Sequence, residues 1–300
     1  MNHRSKSYLF AGLTIMAWST VSTAFELSLN NFTPLGLLLV ASLTALVTLA
    51  LIRLISPSPA GQQETGILKH LRLSLIPGLL NPLVYYLVLL VAYDRLPAQE
   101  AQVLNYTWAI VLAFLSVLIN KERFHVRDIA ALALSLLGVL IISSRGRVLS
   151  FRFDDPLGTA LALGSSLIWA AYWIINMRDP RDGLTKLYYN FMMGTIFIII
   201  VVCLGKDPLL REGLKLQLST LAPAIYVGIF EMGLTFFLWL KALGYSKSTA
   251  DLSNLIFITP FISLVFIALV LHEPIAPATV IGLILIVCSN LYQKMGSKTA

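Results

Sequence analysis

The chain has 300 residues, 57% of them hydrophobic and only 12% charged, and carries a formal charge of +7. A water-soluble globular protein averages roughly 25% charged residues, so with a mean hydropathy of +0.81 lipid must solvate much of this surface. A soluble enzyme and a nucleic-acid binder are excluded on that ground, and the basic excess falls in short segments between apolar runs, as the positive-inside bias of membrane proteins requires.

A helix needs about 20 apolar residues to cross the hydrocarbon core. In chain order the apolar runs are 8–28, 34–55, 73–93, 98–119, 127–143, 157–177, 185–204, 219–240, 250–270 and 277–293. The expected fold is therefore an all-α integral membrane protein with ten transmembrane helices. The first run is longer than the core of a signal peptide and is followed by further spans, so it reads as an uncleaved helix. Cys203 and Cys288 lie inside apolar runs, away from disulfide or metal spacing. No metal or other cofactor is expected.

With the N-terminus inside, fifteen basic residues fall on the cytoplasmic side: Arg4, Lys6, Arg53, Lys69, Arg72, Lys121, Arg123, Arg127, Arg178, Arg181, Lys186, Lys241, Lys247, Lys294 and Lys298. Seven (Arg95, Arg145, Arg147, Arg152, Lys206, Arg211 and Lys215) fall outside. Both termini are thus expected in the cytoplasm. A shift of 151 residues places Trp18 on Trp169, Glu100 on Asp251 and Glu122 on Glu273. The sequence then divides into residues 1–145 and 146–300, five spans each. Because five is odd, the second copy enters the membrane upside down. Such inverted repeats carry their substrate site at the repeat interface, here expected as a central cavity.

Polar side chains mark the helices that would line it. The first span offers Trp18, Ser19, Ser22 and Glu26, and the third Asn81, Tyr85 and Tyr86. On the fourth, Gln99, Gln102, Asn105 and Tyr106 share one helical face. The sixth carries Trp169, Tyr172, Trp173 and Asn176 at i, i+3, i+4 and i+7. The eighth and ninth contribute Glu231, Phe236, Phe237, Trp239, Ser253, Asn254, Phe257 and Thr259. For any one of these, helix fastening by hydrogen bonds or an interfacial aromatic belt is as good a reading; together they favour a hollow for a flat or amphipathic solute.

Glu231 lies near the middle of its span, where a carboxylate costs on the order of 2.5–3.5 kcal/mol on insertion scales. It is the candidate for coupling or for binding a substrate amine, beside the alternative of a structural hydrogen bond. Glu100 and Asp251 begin equivalent helices and suit a dipole-capping role. Glu122 and Glu273 close spans and read as structural. Pro77 and Pro82 in the third span, Pro223 in the eighth and Pro260 in the ninth are hinge candidates. No Lys or Arg lies near a helix centre, so a neutral, zwitterionic or cationic small molecule fits better than a phosphate ester.

Two five-helix halves, the Trp18-Ser19-Thr20 stretch and the segment from Phe236 through Pro260 to Glu273 resemble the drug/metabolite transporter superfamily. Within it, Asn105-Tyr106-Thr107-Trp108 and Ile168-Trp169-Ala170-Ala171-Tyr172 are similar to bacterial aromatic amino-acid exporters. The resemblance implies a ten-helix basket whose cavity is formed by the first, third, fourth, sixth, eighth and ninth helices. It also implies export of Phe, Tyr and Trp across the bacterial inner membrane. One departure is Ala109, where the pattern expects proline after Trp108. Partners are then the small-molecule substrate and membrane lipids, with a gradient rather than ATP as the energy source, since no phosphate-loop pattern occurs. A carrier of other metabolites or lipophilic cations, an intramembrane enzyme and a non-transporting scaffold remain alternatives in that order.

Overall fold

The computed structural model describes residues 3–56, 66–120, 126–147, 154–206, 208–211, 217–246 and 255–296. The expectations for Glu122, Asp251, Ser253 and Asn254, and for the basic residues Lys121, Arg123, Arg152, Lys215, Lys247 and Lys298, lie outside them.

The described segments are helical except for 208–211, where Leu210 forms an isolated antiparallel bridge with Phe32. The helices are α1 (His3–Leu29), α2 (Pro34–Ile55), α3 (Ile67–Leu73), α4 (Leu75–Gly78), α5 (Tyr85–Arg95), α6 (Ala98–Asn105), α7 (Trp108–Asn120) and α8 (Val126–Ser143). They continue as α9 (Pro156–Arg178), α10 (Gly183–Leu204), α11 (Leu218–Val227), α12 (Leu234–Tyr245), α13 (Thr259–Val270) and α14 (Pro277–Gly296). Among the described residues, six runs are long and apolar enough to cross a membrane: His3–Leu29, Pro34–Ile55, Leu75–Arg95, Pro156–Arg178, Gly183–Leu204 and Leu218–Tyr245. Shorter apolar helices cover Ile129–Ser143, Ile256–Val270 and Pro277–Tyr292.

The distribution of side chains is that of a protein dissolved in lipid. Leu54, Ile55, Val126 and Leu204 are each at least 80% exposed, whereas Ser19, Asn81, Asn190 and Thr235 are fully buried. Water would reverse that arrangement.

Three of the expected runs are interrupted. In the third, a π-helical turn at Leu79–Val84 separates α4 from α5, with Asn81 extended at φ −143, ψ 115. Pro82 supplies no N–H to the helical ladder there, which opens the turn. In the eighth, α11 runs straight through Pro223 and widens only at the π-helical turn Gly228–Gly233. The Thr235 hydroxyl donates to the carbonyl of Phe230 and holds that turn open. In the fourth, the helix breaks at Tyr106 and Thr107 although the proline expected at 109 is absent. Thr107 donates its hydroxyl to Leu104 O at 2.8 Å and shares a 2.9 Å hydrogen bond with Ser166. Asn105 is drawn to Ser165 at 2.9 Å. Side-chain bonds thus do here what a proline would do. Pro260 stands in the first turn of α13, after a 3₁₀ turn at Ile256–Ile258.

The principal helix contacts keep their pattern when the first eight helices are exchanged with the last six. α1 packs along α11 and α12, and α9 along α4 and α5; α1 meets α13, and α9 meets α6 and α7. α2 lies on the Gly228–Gly233 turn, α10 on the Leu79–Val84 turn, while α2 pairs with α10 and α8 with α14. The close approaches match too. A Cβ on Gly78 would stand 2.7 Å from Asn190 O of α10, and one on Gly228 would stand 2.5 Å from Ala41 O of α2. The two widened turns therefore sit against their partner helices backbone to backbone, which only glycine allows.

Candidate functional site

The Gly228–Gly233 turn delivers Glu231 to the middle of the bundle, and Tyr85 follows directly on the Leu79–Val84 turn. A cavity of about 90 Å³ lies there, lined by Trp18, Val21, Ser22 and Phe25 of α1 and by Tyr85, Leu89 and Tyr93 of α5. Gln102 and Asn105 of α6, Tyr106, Trp108 of α7, Trp169 of α9, Glu231, Phe236 of α12 and Ile256 complete the wall. The lining helices are those of the first, third, fourth, sixth, eighth and ninth apolar runs.

The rings form one continuous assembly. Tyr85 stacks on Trp169 with centroids 4.5 Å apart and planes at 29°. Phe236 meets Trp18 edge-on at 5.6 Å and Trp169 at 5.9 Å. Such offset and edge contacts are worth about 0.5–1.5 kcal/mol each beyond the area they bury, so the wall is preformed.

Polar groups on this wall are of two kinds. Some are spent on the protein: Ser22 shares a 2.8 Å hydrogen bond with Tyr93, and Tyr85 donates to Asn105 at 3.4 Å. Others are unspent. Trp18 Nε1 and Gln102 Oε1 are buried with no partner among the described residues. Buried polar atoms nearly always have a partner, so a free donor and a free acceptor facing one hollow mark a place for a polar ligand. Glu231 accepts from Tyr86 at 2.9 Å through one carboxylate oxygen, and a carboxylate has a second.

A second cavity of about 90 Å³ lies beside the first, between α9, α10 and α12, and shares Phe236 with it. Of the residues singled out from the sequence, Trp18, Ser22, Tyr85, Gln102, Asn105, Tyr106, Trp169 and Glu231 line the first cavity, and Tyr172, Trp173 and Asn176 line the second. Tyr86 stands behind Glu231. Phe237 lies under the Lys241 ammonium at 5.2 Å, and it is the neighbouring Phe236 that borders both cavities. Phe257 is buried in the core. Gln99 donates to Glu273 at 2.5 Å and to Pro274 O at 3.0 Å, tying α6 to the end of α13. Glu100 is held by Arg145 at 2.9 Å.

The sequence reasoning passed over Phe25 and Tyr93, yet their signal was there. Trp18, Val21, Ser22 and Phe25 follow i, i+3, i+4, i+7, and Tyr85, Leu89 and Tyr93 recur every fourth residue. At one end of the bundle Arg181 bonds Asp179, both side chains 7% exposed, and reaches Ser74 and His70 O at 3.0 and 3.1 Å. There burial would raise the Asp179 carboxyl, but the bonds from Arg181 outweigh it and hold the group below its ordinary value.

The family profile described as the EamA-like transporter family matches residues 5–144 and again 156–292. An uncharacterized transporter of Archaeoglobus fulgidus is 24% identical over 283 residues, 93% of each chain. Another of Clostridium kluyveri is 25% identical over 207 residues, covering 68% of this chain and 65% of the relative's length. The aromatic amino acid exporter YddG of Ancylobacter novellus is 23% identical over 247 residues, 79% of each chain. A solved crystal structure superposes with a TM-score of 0.67 over 99% of both chains at 19% identity, a likeness of fold. With two matches that together span most of its length, this chain, a multi-pass membrane protein, belongs to the EamA-like transporter family.

Proposed function

We propose that the protein is a secondary transporter that exports amino acids, aromatic ones foremost, by alternating access. The observation that carries this reading is the central cavity itself. Its walls are aromatic, and its free polar groups are complementary to a zwitterion. Glu231 and Gln102 Oε1 would take the substrate ammonium; the Trp18 indole N–H would take the carboxylate; and the ring would lie against Tyr85, Tyr106 and Trp169. The related YddG bears the name of an aromatic amino acid exporter, which supports the same substrate class.

The cavity's size supports a mechanism with moving walls. Benzene alone occupies a protein cavity of about 150 Å³, so about 90 Å³ cannot seat an aromatic amino acid until helices part. In this reading the chain consists of ten spans in two inverted halves, residues 1–145 and 146–300, with both termini cytoplasmic and the bilayer that of the bacterial inner membrane. The interrupted third and eighth segments, with Pro77, Pro82 and the glycines of the widened turns, and the ninth with Pro260, are where the halves would flex.

The test is counterflow in proteoliposomes preloaded with single solutes. Phenylalanine, tyrosine and tryptophan should exchange faster than aliphatic amino acids and than lipophilic cations. Exchange of lipophilic cations with indifference to all three would replace this reading by that of a cation exporter on the same fold.

A further inference from the structure

The second cavity has a composition that helix packing does not require. Lys186, in the first turn of α10, borders it and donates to the carbonyl of Asn176 at 2.9 Å. An ammonium has three donors, so that bond leaves two. The neighbouring carboxylates act on Lys186 through space while bonding other groups: both oxygens of Asp179 accept from Arg181, and Asp182 caps α10 through Thr185 N at 3.0 Å. Two more polar atoms on the cavity wall are buried without a partner among the described residues, Trp173 Nε1 and Asn176 Oδ1. Two donor groups, Lys186 and the Trp173 indole, an acceptor and the rings of Tyr172, Trp173 and Trp239 thus surround one small hollow.

We infer that this cavity is a second substrate subsite for an aromatic amino acid, with the carboxylate on Lys186 and Trp173 Nε1 and the ammonium on Asn176 Oδ1. The inference rests on the amino-acid reading of the central cavity. Phe236 borders both hollows, and Trp169 and Trp173 meet edge-on at 5.9 Å between them. A substrate held here therefore needs the aromatic partition to turn before it reaches Trp18 and Glu231. The subsite selects for a carboxylate ahead of that step. This is chemistry the central cavity, which carries a carboxylate of its own, supplies less well.

Lys186→Met in the full-length protein in liposomes tests it, with uptake of L-phenylalanine and of 2-phenylethylamine, which lacks the carboxylate. The variant should raise the apparent KM for phenylalanine by about tenfold or more, the usual loss for one bond to a charged group, and leave 2-phenylethylamine unchanged. Lys186→Arg should restore phenylalanine uptake. Should Lys186→Met fail to fold, Trp173→Phe, which keeps the ring and removes the N–H, should shift the same ratio in the same direction. An unchanged ratio of phenylalanine to 2-phenylethylamine in the folded variants overturns the subsite. If the wild-type protein moves no aromatic amino acid, the transport reading fails separately. Binding of 3-phenylpropionate to the purified protein then decides the cavity: binding lost in Lys186→Met keeps it, and no binding, or binding indifferent to Lys186, overturns it.

Discussion

Replacing Glu231 by Gln asks whether the central carboxylate binds substrate or only fastens two segments. Glu231 lies in the widened turn Gly228–Gly233, borders the cavity and accepts one hydrogen bond, from Tyr86 at 2.9 Å. Glutamine has the same shape and still offers Tyr86 an oxygen, so the structural bond survives. What is lost is the charge facing a substrate ammonium. A hydrogen bond to a charged group contributes about 1.5–3 kcal/mol, which at about 1.4 kcal/mol per decade is a 10- to 150-fold rise in apparent KM. The assay is uptake of labelled L-phenylalanine into liposomes, beside 3-phenylpropionate, which lacks the ammonium. The expected result is a rise of that size for phenylalanine and little change for phenylpropionate. Equal KM values for phenylalanine in the two proteins would assign Glu231 to helix fastening alone.

The paired glycines predict a packing effect. Gly228→Ala places a methyl 2.5 Å from Ala41 O and from Thr44 Cβ, whereas Gly12→Ala meets nothing within 4 Å. Overpacking of that kind costs about 1–3 kcal/mol, so thermal unfolding in detergent should lower the Tm of Gly228→Ala and not that of Gly12→Ala. The buried Asp179–Arg181 pair predicts a pH dependence. Removing one partner of such a pair costs about 3–5 kcal/mol, so Asp179→Asn should be clearly less stable at neutral pH. Because the folded-state pKa of Asp179 lies below the ordinary 3.8, its contribution is fully present above that value and is lost as pH falls through the lower folded value. The gap in Tm between wild type and Asp179→Asn should therefore be constant above about pH 5 and close in stronger acid; a gap that stays constant into acid would contradict the assignment.

Much of the helical architecture was legible because long apolar runs permit little else in lipid. α1, α2, α9 and α10 fall within a few residues of the runs at 8–28, 34–55, 157–177 and 185–204. The polar stripes were legible for the same reason: a half-buried Trp18 and a buried Gln102 or Trp169 among aliphatic residues need a hollow or a partner. The interruptions were read less well. Proline is the local signal for such a break, and Pro82 obeys it. Pro223, however, lies inside α11, which continues through it, and the turn opens farther on at Gly228–Gly233. The break at Tyr106–Thr107 depends on Ser165 and Ser166, about 60 positions away in sequence, and no local pattern announces that. In the sequence Lys186 reads only as a cytoplasmic charge; its place beside Trp173 and Asn176 follows from how α9 and α10 meet.

The inverted arrangement is the premise of the whole transport account, and impermeant maleimide labelling of single cysteines in intact cells tests it most directly. With Cys203 and Cys288 replaced, Lys6→Cys and Asp154→Cys mark the residues at the starts of α1 and α9. Asp154→Cys should react from outside and Lys6→Cys only after the membrane is opened. Reaction of both from one side would contradict two oppositely oriented halves around a shared cavity.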